Sequence, residues 1–423
     1  MVQDTRELNR KAVLTALMQA RPASRKQIAE ASGISAATVT RAVDQLLSEG
    51  IVTETAEIIA ETRGRRAVQL DIVAERSYVV GVDLGASNTR IIVADLLAHP
   101  LVAVETPTPV ETDSLELAAW LAGTIREAAG DVWDRVDHVS LGLPGAVSQR
   151  DRTVSNAPNL PQVETVTFLD DAQDAIGKPV RFDNDANYAL LGEQHFGAAR
   201  SARNAAMLTI GSGLGAGLAI DGRILQGEHG LIGEFGQLPV GPLGTRLEHL
   251  VTGGGIIRRA AEAGIELTAP NELFAEDAGP ALQTLRAHFD QALLIVLTAT
   301  TVSCDPQTIV LGGGIANSLT STLDRYQLAL EQNLRVSPTL ASAELGDFSG
   351  SVGAVVAALH AAYEDLGIQE DTLIRLPHGT ALARPQVDAA RAHVDAAHAK
   401  VDAARAQVDA ARAHANPNAI PAR

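Results

Sequence analysis

A chain of 423 residues, 46% hydrophobic and 20% charged, is too long for one compact core and suits two or three domains. Its formal net charge of −17 argues against a protein that grips polyanions over its whole surface, and its single cysteine, Cys304, rules out an intrachain disulfide and a multi-cysteine zinc site. The opening residues lack the apolar core of a secretory signal, and no apolar run reaches the ~20 residues of a membrane span, so the expectation is a cytoplasmic protein with no membrane partner.

The charge is uneven. Residues 1–70 hold ten Lys/Arg against eight Asp/Glu, about +2, which leaves about −19 for the rest, so any nucleic-acid contact must work through a local basic patch. Val13, Leu14, Leu17 and Met18 have helical spacing within residues 9–19, and Arg21-Pro22 ends that helix. Ser24 followed by Gln27 fits a capping box for a second helix reaching about Ala31, and Gly33 supplies the positive φ of a tight turn. Ser35 caps a third helix to about Glu49 with Val39, Val43, Leu46 and Leu47 inward, and Gly50 stops it. Strands over 51–61 and 67–72 flank an Arg-rich tip. Helix, helix, turn, helix, hairpin is the order of a winged helix-turn-helix over residues 1–73.

Small and hydroxylic residues at the start of the third helix (Ser35, Ala36, Ala37, Thr38, Thr40) allow entry into a major groove, and Arg41 reaches a phosphate or a guanine. Arg63, Arg65 and Arg66 at the hairpin tip suit the minor groove or phosphates, and Arg25 and Lys26 stand at a helix N-terminus that suits phosphate. Double-stranded operator DNA is the expected partner. Aromatic residues make up 3%, too few for a stacking platform for single strands.

In the middle of the chain, strands are expected over 78–84, 89–95 and 102–107, a helix over 115–129, and a strand over 138–143 ending at Pro144-Gly145. Asp83, in the turn after the first of these strands, can hold Mg²⁺ through water, with Gly85 beside it and Ser87 able to bond a phosphate oxygen. A second glycine loop, Gly211-Ser212-Gly213-Leu214-Gly215-Ala216-Gly217, is expected between strands 206–210 and 218–220. A strand follows it where a dinucleotide fingerprint needs a helix, so that fingerprint is rejected. Gly312-Gly313-Gly314 follows a strand over 308–311. Asn184-Asp185 at a strand end offers a carboxylate able to take a proton from a sugar hydroxyl, and Glu234, Gln237 and Glu248 offer further hydroxyl partners.

Residues about 77–366 resemble the ROK family, named for repressors, open reading frames and kinases. Asp83 through Ser87 resembles its first phosphate motif, Ala157-Pro158-Asn159-Leu160-Pro161 its sugar loop, Asn184-Asp185 its sugar-binding and catalytic-base pair, Thr209 through Gln237 its signature, and Ile309 through Ala316 its adenosine-side motif. With the winged domain in front, residues 1–366 resemble the family's repressor branch. The resemblance implies an α/β fold: a two-lobed, actin-like domain of the sugar kinase/ribonuclease H kind. It implies a sugar held by Asn159, Asn184, Asp185, Glu234 and Glu248 with Gln237 nearby, and Asp185 as the base if the domain phosphorylates. Gly85, Gly211, Gly213, Gly215, Gly312 and Gly313 would line the nucleotide side, with Asp83 and Ser87. Gln237 stands where the family has His, and Leu238–Leu247 replaces its cysteine-rich loop, so no structural zinc is expected. Ala86 and Ala216 stand where glycine is usual, and their methyl groups are expected to crowd a phosphate. Val163 replaces a tryptophan.

Residues 386–413 repeat a seven-residue unit four times, with Val387, Val394, Val401 and Val408 at one position and Ala390, Ala397, Ala404 and Ala411 three later. Pro385 and Pro417 bracket this helical tail within 367–423, and a solvated appendage is slightly favoured over an oligomerisation seam. The resulting expectation is a DNA-binding regulator, read as a repressor of carbohydrate-metabolism genes. It would be controlled by a sugar or sugar phosphate in a kinase-like cleft and would act as a homodimer or homotetramer, with no required cofactor. The alternative is an active ATP-dependent hexose kinase carrying a DNA-binding head, for which Mg-ATP would be needed; control by a partner protein is a third.

Overall fold

The computed structural model describes residues 2–58, 67–241, 244–275, 279–368 and 381–392. The chain opens with α1 (Val2–Ala20), β1 (Ala23–Ser24), α2 (Arg25–Ser32), α3 (Ala36–Ser48), β2 (Val52–Ile58) and β3 (Ala67–Ile72). The local signals act as expected. The Ser24 hydroxyl accepts from the Gln27 amide while the Gln27 side chain accepts from the Ser24 amide, Gly33 is left-handed at φ 68°, and Ser35 caps α3. Val13, Leu14, Leu17, Ile28, Val39, Val43 and Leu46 fill the head core. The short strand β1, which the sequence did not announce, pairs antiparallel with β3.

Two lobes follow, and each repeats one plan. The first has β4 (Tyr78–Leu84), β5 (Asn88–Asp95), β6 (Pro100–Pro107), α4 (Ser114–Ala129), β7 (Val136–Leu143), β8 (Ala146–Ser148), β9 (Thr153–Ser155), α5 (Phe168–Ile176), β10 (Val180–Asn184) and α6 (Asp185–Phe196). The second has β11 (Ala205–Ile210), β12 (Leu214–Ile220), β13 (Arg223–Ile224), β14 (Pro239–Val240), β15 (Thr245–Arg246), α7 (Glu248–Val251), α8 (Gly253–Glu262), α9 (Pro280–Cys304), β16 (Thr308–Gly312), α10 (Gly314–Asn317), α11 (Leu323–Leu334), β17 (Thr339–Ser342) and α12 (Ser349–Asp365). The sheet orders are β10-β7-β4-β5-β6 and β13-β12-β11-β16-β17, each an antiparallel meander joined to two parallel strands.

The lobes exchange helices. Helix α6, which leaves the first sheet, packs on β11 and β12 of the second, and α12, which leaves the second, packs on β4 and β7 of the first. The two helices cross at near backbone contact, because a Cβ added to Gly353 would lie 1.6 Å from the Tyr188 carbonyl oxygen and one added to Gly192 would lie 2.6 Å from that of Ser349. Helix α9 is long and apolar enough to pass for a membrane span by length and composition alone, which the sequence reading missed. Its Leu285, Phe289, Leu293, Val296 and Leu297 are buried among α8, α11 and the second sheet, as in a core helix.

The head is not a bead on a string. One continuous apolar cluster contains the head core, Val352, Val355, Val356, Leu359 and Tyr363 of α12, and Ile368, Leu382, Val387 and Ala390 beyond it. Polar contacts join the same parts: Arg10 donates to the Leu366 carbonyl at 3.1 Å and pairs with Glu49 at 3.2 Å, and Arg76 donates to the Glu49 carbonyl at 2.6 Å. Residues 384–392, which include the whole first heptad, are helical with Val387 and Ala390 buried, so this part of the tail is not the solvated appendage favoured from the sequence. The remaining heptads, 393–413, lie outside the described residues.

Candidate functional site

A cavity of about 230 Å³ opens between the lobes, and most of the residues singled out from the sequence converge on it. Asp83 comes from the end of β4, where the sequence reading put it in the turn, and Gly85 and Ala86 come from the β4–β5 turn; Asn159 comes from the loop after β9, Asn184 and Asp185 from the β10–α6 junction, Gly211, Gly213 and Gly215 from the β11–β12 turn and strand, and Glu234, Gln237, Glu248 and Gly313 from the second lobe. Ser87 is exposed in its turn and is not on this wall, nor is Gly312, where an added Cβ would meet Met207 at 2.5 Å.

Asn159 spans the cleft, donating from Nδ2 to the Ser212 carbonyl of the opposite lobe at 3.2 Å. Asn184 caps α6: its Oδ1 accepts from the Ala186 and Asn187 amides at 2.9 and 3.2 Å, and its Nδ2 donates to the Gly145 carbonyl at 2.9 Å. Its role here is to hold the strand–helix junction as well as to line the cavity. That junction aims Asp185 inward, where burial, reinforced by the Asp83 charge, raises its carboxyl to about 7 against the stabilising Ala186 amide. Burial also raises Asp83 to about 6, opposed by Arg90, and Glu234 to about 7 with the Glu248 charge adding to it. Near neutral pH these carboxyls exchange between hydrogen-bond donor and acceptor, which suits ligand hydroxyls.

The glycine-rich stretch departs from expectation. Only Gly211-Ser212-Gly213 is a turn; Leu214 onward is strand β12, with Gly215 opposite Thr209 and Gly217 opposite Met207. A Cβ at Gly217 would lie 2.5 Å from the Ala186 carbonyl oxygen, so the glycine there allows α6 to approach the sheet. Ala216 is buried in the second-lobe core, away from the cavity, and does not crowd a phosphate as expected; Ala86 does line the cavity. Leu238–Leu247 contains the short hairpin β14–β15, and among the described residues no three His, Cys, Asp or Glu are grouped to hold a metal. Val163 is fully buried, packed with Ala157 and Leu160 of the loop after β9.

A second cavity of about 520 Å³ lies on the other side of the same junction, lined by Asp183, Asn187, Tyr188 and His195 with Arg152, Arg181, Arg223 and His360. Asp183 accepts from Asn187 at 2.8 Å and Gln226 at 2.7 Å, and burial raises its carboxyl. Consecutive residues of one strand end therefore face two cavities. Strand alternation predicts this, although the sequence reading stopped at Asn184 and Asp185.

On the head, Ser35, Ala36, Ala37, Thr40 and Arg41 are exposed along the start of α3, with Thr38 half-buried. Ser35 accepts from the Thr38 amide at 3.3 Å, Thr40 donates to the Ala36 carbonyl at 2.9 Å, and the Arg41 guanidinium lies 3.5 Å from the Thr38 hydroxyl. Lys26 is exposed near Glu30, whereas Arg25 is paired with Asp44 at 3.2 Å and Glu54 at 3.4 Å and would have to trade partners to reach a phosphate. Arg63, Arg65 and Arg66 lie outside the described residues.

Comparison with known proteins agrees with both halves. The model of the ROK family matches residues 79–361. The chain belongs to the ROK family. A winged helix-turn-helix DNA-binding model matches residues 6–53. Among relatives, the chain is 30% identical over 272 residues to the DNA-binding transcriptional dual regulator NagC of Escherichia coli K12, covering 63% of this chain and 66% of that one. It is 28% identical over 238 residues to the xylose repressor of Caldicellulosiruptor bescii, covering 56% of this chain and 59% of that one. Among solved structures, a ROK transcriptional regulator described as a homologue of the E. coli MLC protein aligns over 86% of this chain and 98% of its own, with a TM-score of 0.68 at 23% identity. A ROK hexokinase from Thermus thermophilus aligns over 68% and 99%, with a TM-score of 0.56 at 31% identity. The chain thus shares its ROK fold with proteins named as regulators and as kinases, and carries a winged helix-turn-helix in front of that domain.

Proposed function

We propose that this ROK protein is a sugar-responsive transcription regulator, a repressor of carbohydrate-metabolism genes, whose head binds operator DNA with an affinity set by a sugar or sugar phosphate in the cleft. The observation that carries the proposal is the course of α12. Its first turn lines the cavity through Ser349 and Gly350, where a Cβ on Gly350 would meet the Asp83 carboxylate at 2.8 Å. Its last turn is held against the head by Arg10 and the shared apolar cluster. A ligand that changes the angle between the lobes moves one end of a rod whose other end is docked to the DNA reader.

In this proposal Asn159, Asp185, Glu234, Gln237 and Glu248 contact the sugar, and Arg41, Ser35, Thr38, Thr40 and Lys26 contact DNA. Two heads on one dimer would read half-sites ~34 Å apart. Calorimetry against aldoses, N-acetylhexosamines and their 6-phosphates tests the cleft, with xylose and N-acetylglucosamine first because relatives are named for them. Heat from one ligand that also alters a DNase footprint is the expected result, and heat from none refutes it.

The kinase alternative is favoured by one observation, that Asp83 and Asp185 both remain in the cleft. Mg-ATP would meet Asp83 and the backbone at Gly211, Gly213 and Gly313, but Ser87 stands off the wall. Turnover of hexoses with ATP, abolished by Asp185→Asn, would favour the kinase.

A further inference from the structure

The first heptad of the C-terminal segment has no counterpart in the family resemblance, yet it touches the wall of the cleft. Arg90 is the one cationic side chain lining that cavity among the described residues. Its Nη2 lies 2.7 Å from Glu105 Oε1, its guanidinium is 4.0 Å from both Asp83 and Asp347, and its Nε is buried with no hydrogen-bond partner among the described atoms. The second oxygen of Glu105 is held from the tail: Arg391 Nη2 lies 2.9 Å from Oε2. Glu105 is therefore divided between a cleft arginine and a tail arginine. Arg391 also stacks over Phe348 at 5.7 Å, and a Cβ on Gly346 would come within 3.5 Å of the Arg384 guanidinium. Gly346 and Asp347 belong to the cavity wall. Leu382, Val387 and Ala390 anchor this arm in the apolar cluster shared with α12 and the head core.

We propose that residues 381–392 form a clamp on the cleft in which Arg391 is a positioning residue. By occupying Oε2, Arg391 fixes the Glu105 carboxylate so that Arg90 is held by one oxygen and keeps its guanidinium on the cavity wall between Asp83 and Asp347, where its terminal nitrogens can meet an anionic group of the ligand. Without Arg391, Glu105 is free to take Arg90 by both oxygens, the geometry that arginine forks and carboxylates favour. Arg90 then turns away from the cavity, and the 346–350 turn loses its cover. The arm thus tunes how the cleft holds an anionic group and lets the C-terminal segment bias the signal that α12 carries. This inference rests on the cleft being a ligand site.

Hydrogen–deuterium exchange on the full chain tests the clamp without requiring a known ligand. Arg391→Ala is expected to speed exchange roughly fivefold in residues 88–107 and 346–350, with the melting temperature nearly unchanged and with Arg391→Lys restoring most of the protection. Acceleration confined to 381–392, or spread evenly over both lobes, overturns the clamp. Calorimetry with glucose 6-phosphate and glucose then compares wild type with Arg391→Ala: selective loss of affinity for the phosphate ester supports the role of Arg90, and equal affinities overturn it. If neither probe binds either chain, the reading of the cleft is in question, while the exchange pattern still judges the clamp.

Discussion

Asp185→Asn is the substitution whose consequence is worked most directly from the structure. The wild-type carboxyl is raised from 3.8 to about 7, chiefly by burial and next by Asp83. A carboxyl whose folded pKa lies above its unfolded value favours folding only while both states are protonated. Its penalty begins as pH rises past the unfolded value and is complete above the folded one. At about 1.4 kcal/mol per pKa unit, the cost of carrying Asp185 is about 2 kcal/mol at pH 5 and about 4 kcal/mol at pH 8, as a ceiling. Asp83 and Glu234 titrate in the same cavity and share part of that cost, so about half is expected in practice. An amide of the same shape removes it. Asp185→Asn should therefore raise the melting temperature at pH 8 by about 4–8 °C at roughly 2–4 °C per kcal/mol, with a smaller gain at pH 5. Scanning calorimetry of both chains across that range is the assay. A gain independent of pH, or a loss that grows with pH, would refute the placement of a buried, charge-repelled carboxyl at the end of β10.

Further expectations follow from other contacts. Arg41→Ala should weaken duplex binding by about 1–2 kcal/mol and lower the slope of log affinity against log salt by roughly one, as read by fluorescence anisotropy; an unchanged slope would remove Arg41 from the phosphates. Gly353→Ala places a methyl 1.6 Å from the Tyr188 carbonyl oxygen and should cost at least about 3 kcal/mol in denaturant unfolding, because backbone and not a flexible side chain must yield. Arg10→Ala removes the bond to Leu366 and the pair with Glu49, and should make the head melt or exchange before the lobes while leaving ligand affinity unaltered. Retained cooperativity would show that the apolar cluster suffices to hold the head.

Much of this molecule is legible in its residues, and the failures are informative. The Ser24–Gln27 box, the Gly33 turn and the Ser35 cap are local chemistry, so spacing alone locates α2 and α3. Strand β4 is buried except at Asp83, and its apolar run matches the observed Tyr78–Leu84. The glycines at 215 and 217 read as a loop, because glycine usually marks one; in the fold they permit α6 to lie close on β12, a reason that exists only once the two meet. Ala216 was expected to face a phosphate, yet strand alternation turns it into the core. The cavity behind Asp183, the burial of Val387 and Ala390, and the single cluster joining head to α12 depend on contacts between segments hundreds of residues apart. The heptad pattern marks Val387 and Ala390, but no local pattern announces the partners in these contacts.

The account stands most directly on a titration of labelled operator duplex, selected from a random library by the full-length chain, with and without a saturating sugar that calorimetry has shown to bind. A change in DNA affinity of roughly 5- to 150-fold, mirrored by the same factor in sugar affinity when DNA is present, is the predicted result. Identical DNA affinity at both sugar concentrations would mean that cleft and head do not communicate, and would contradict it.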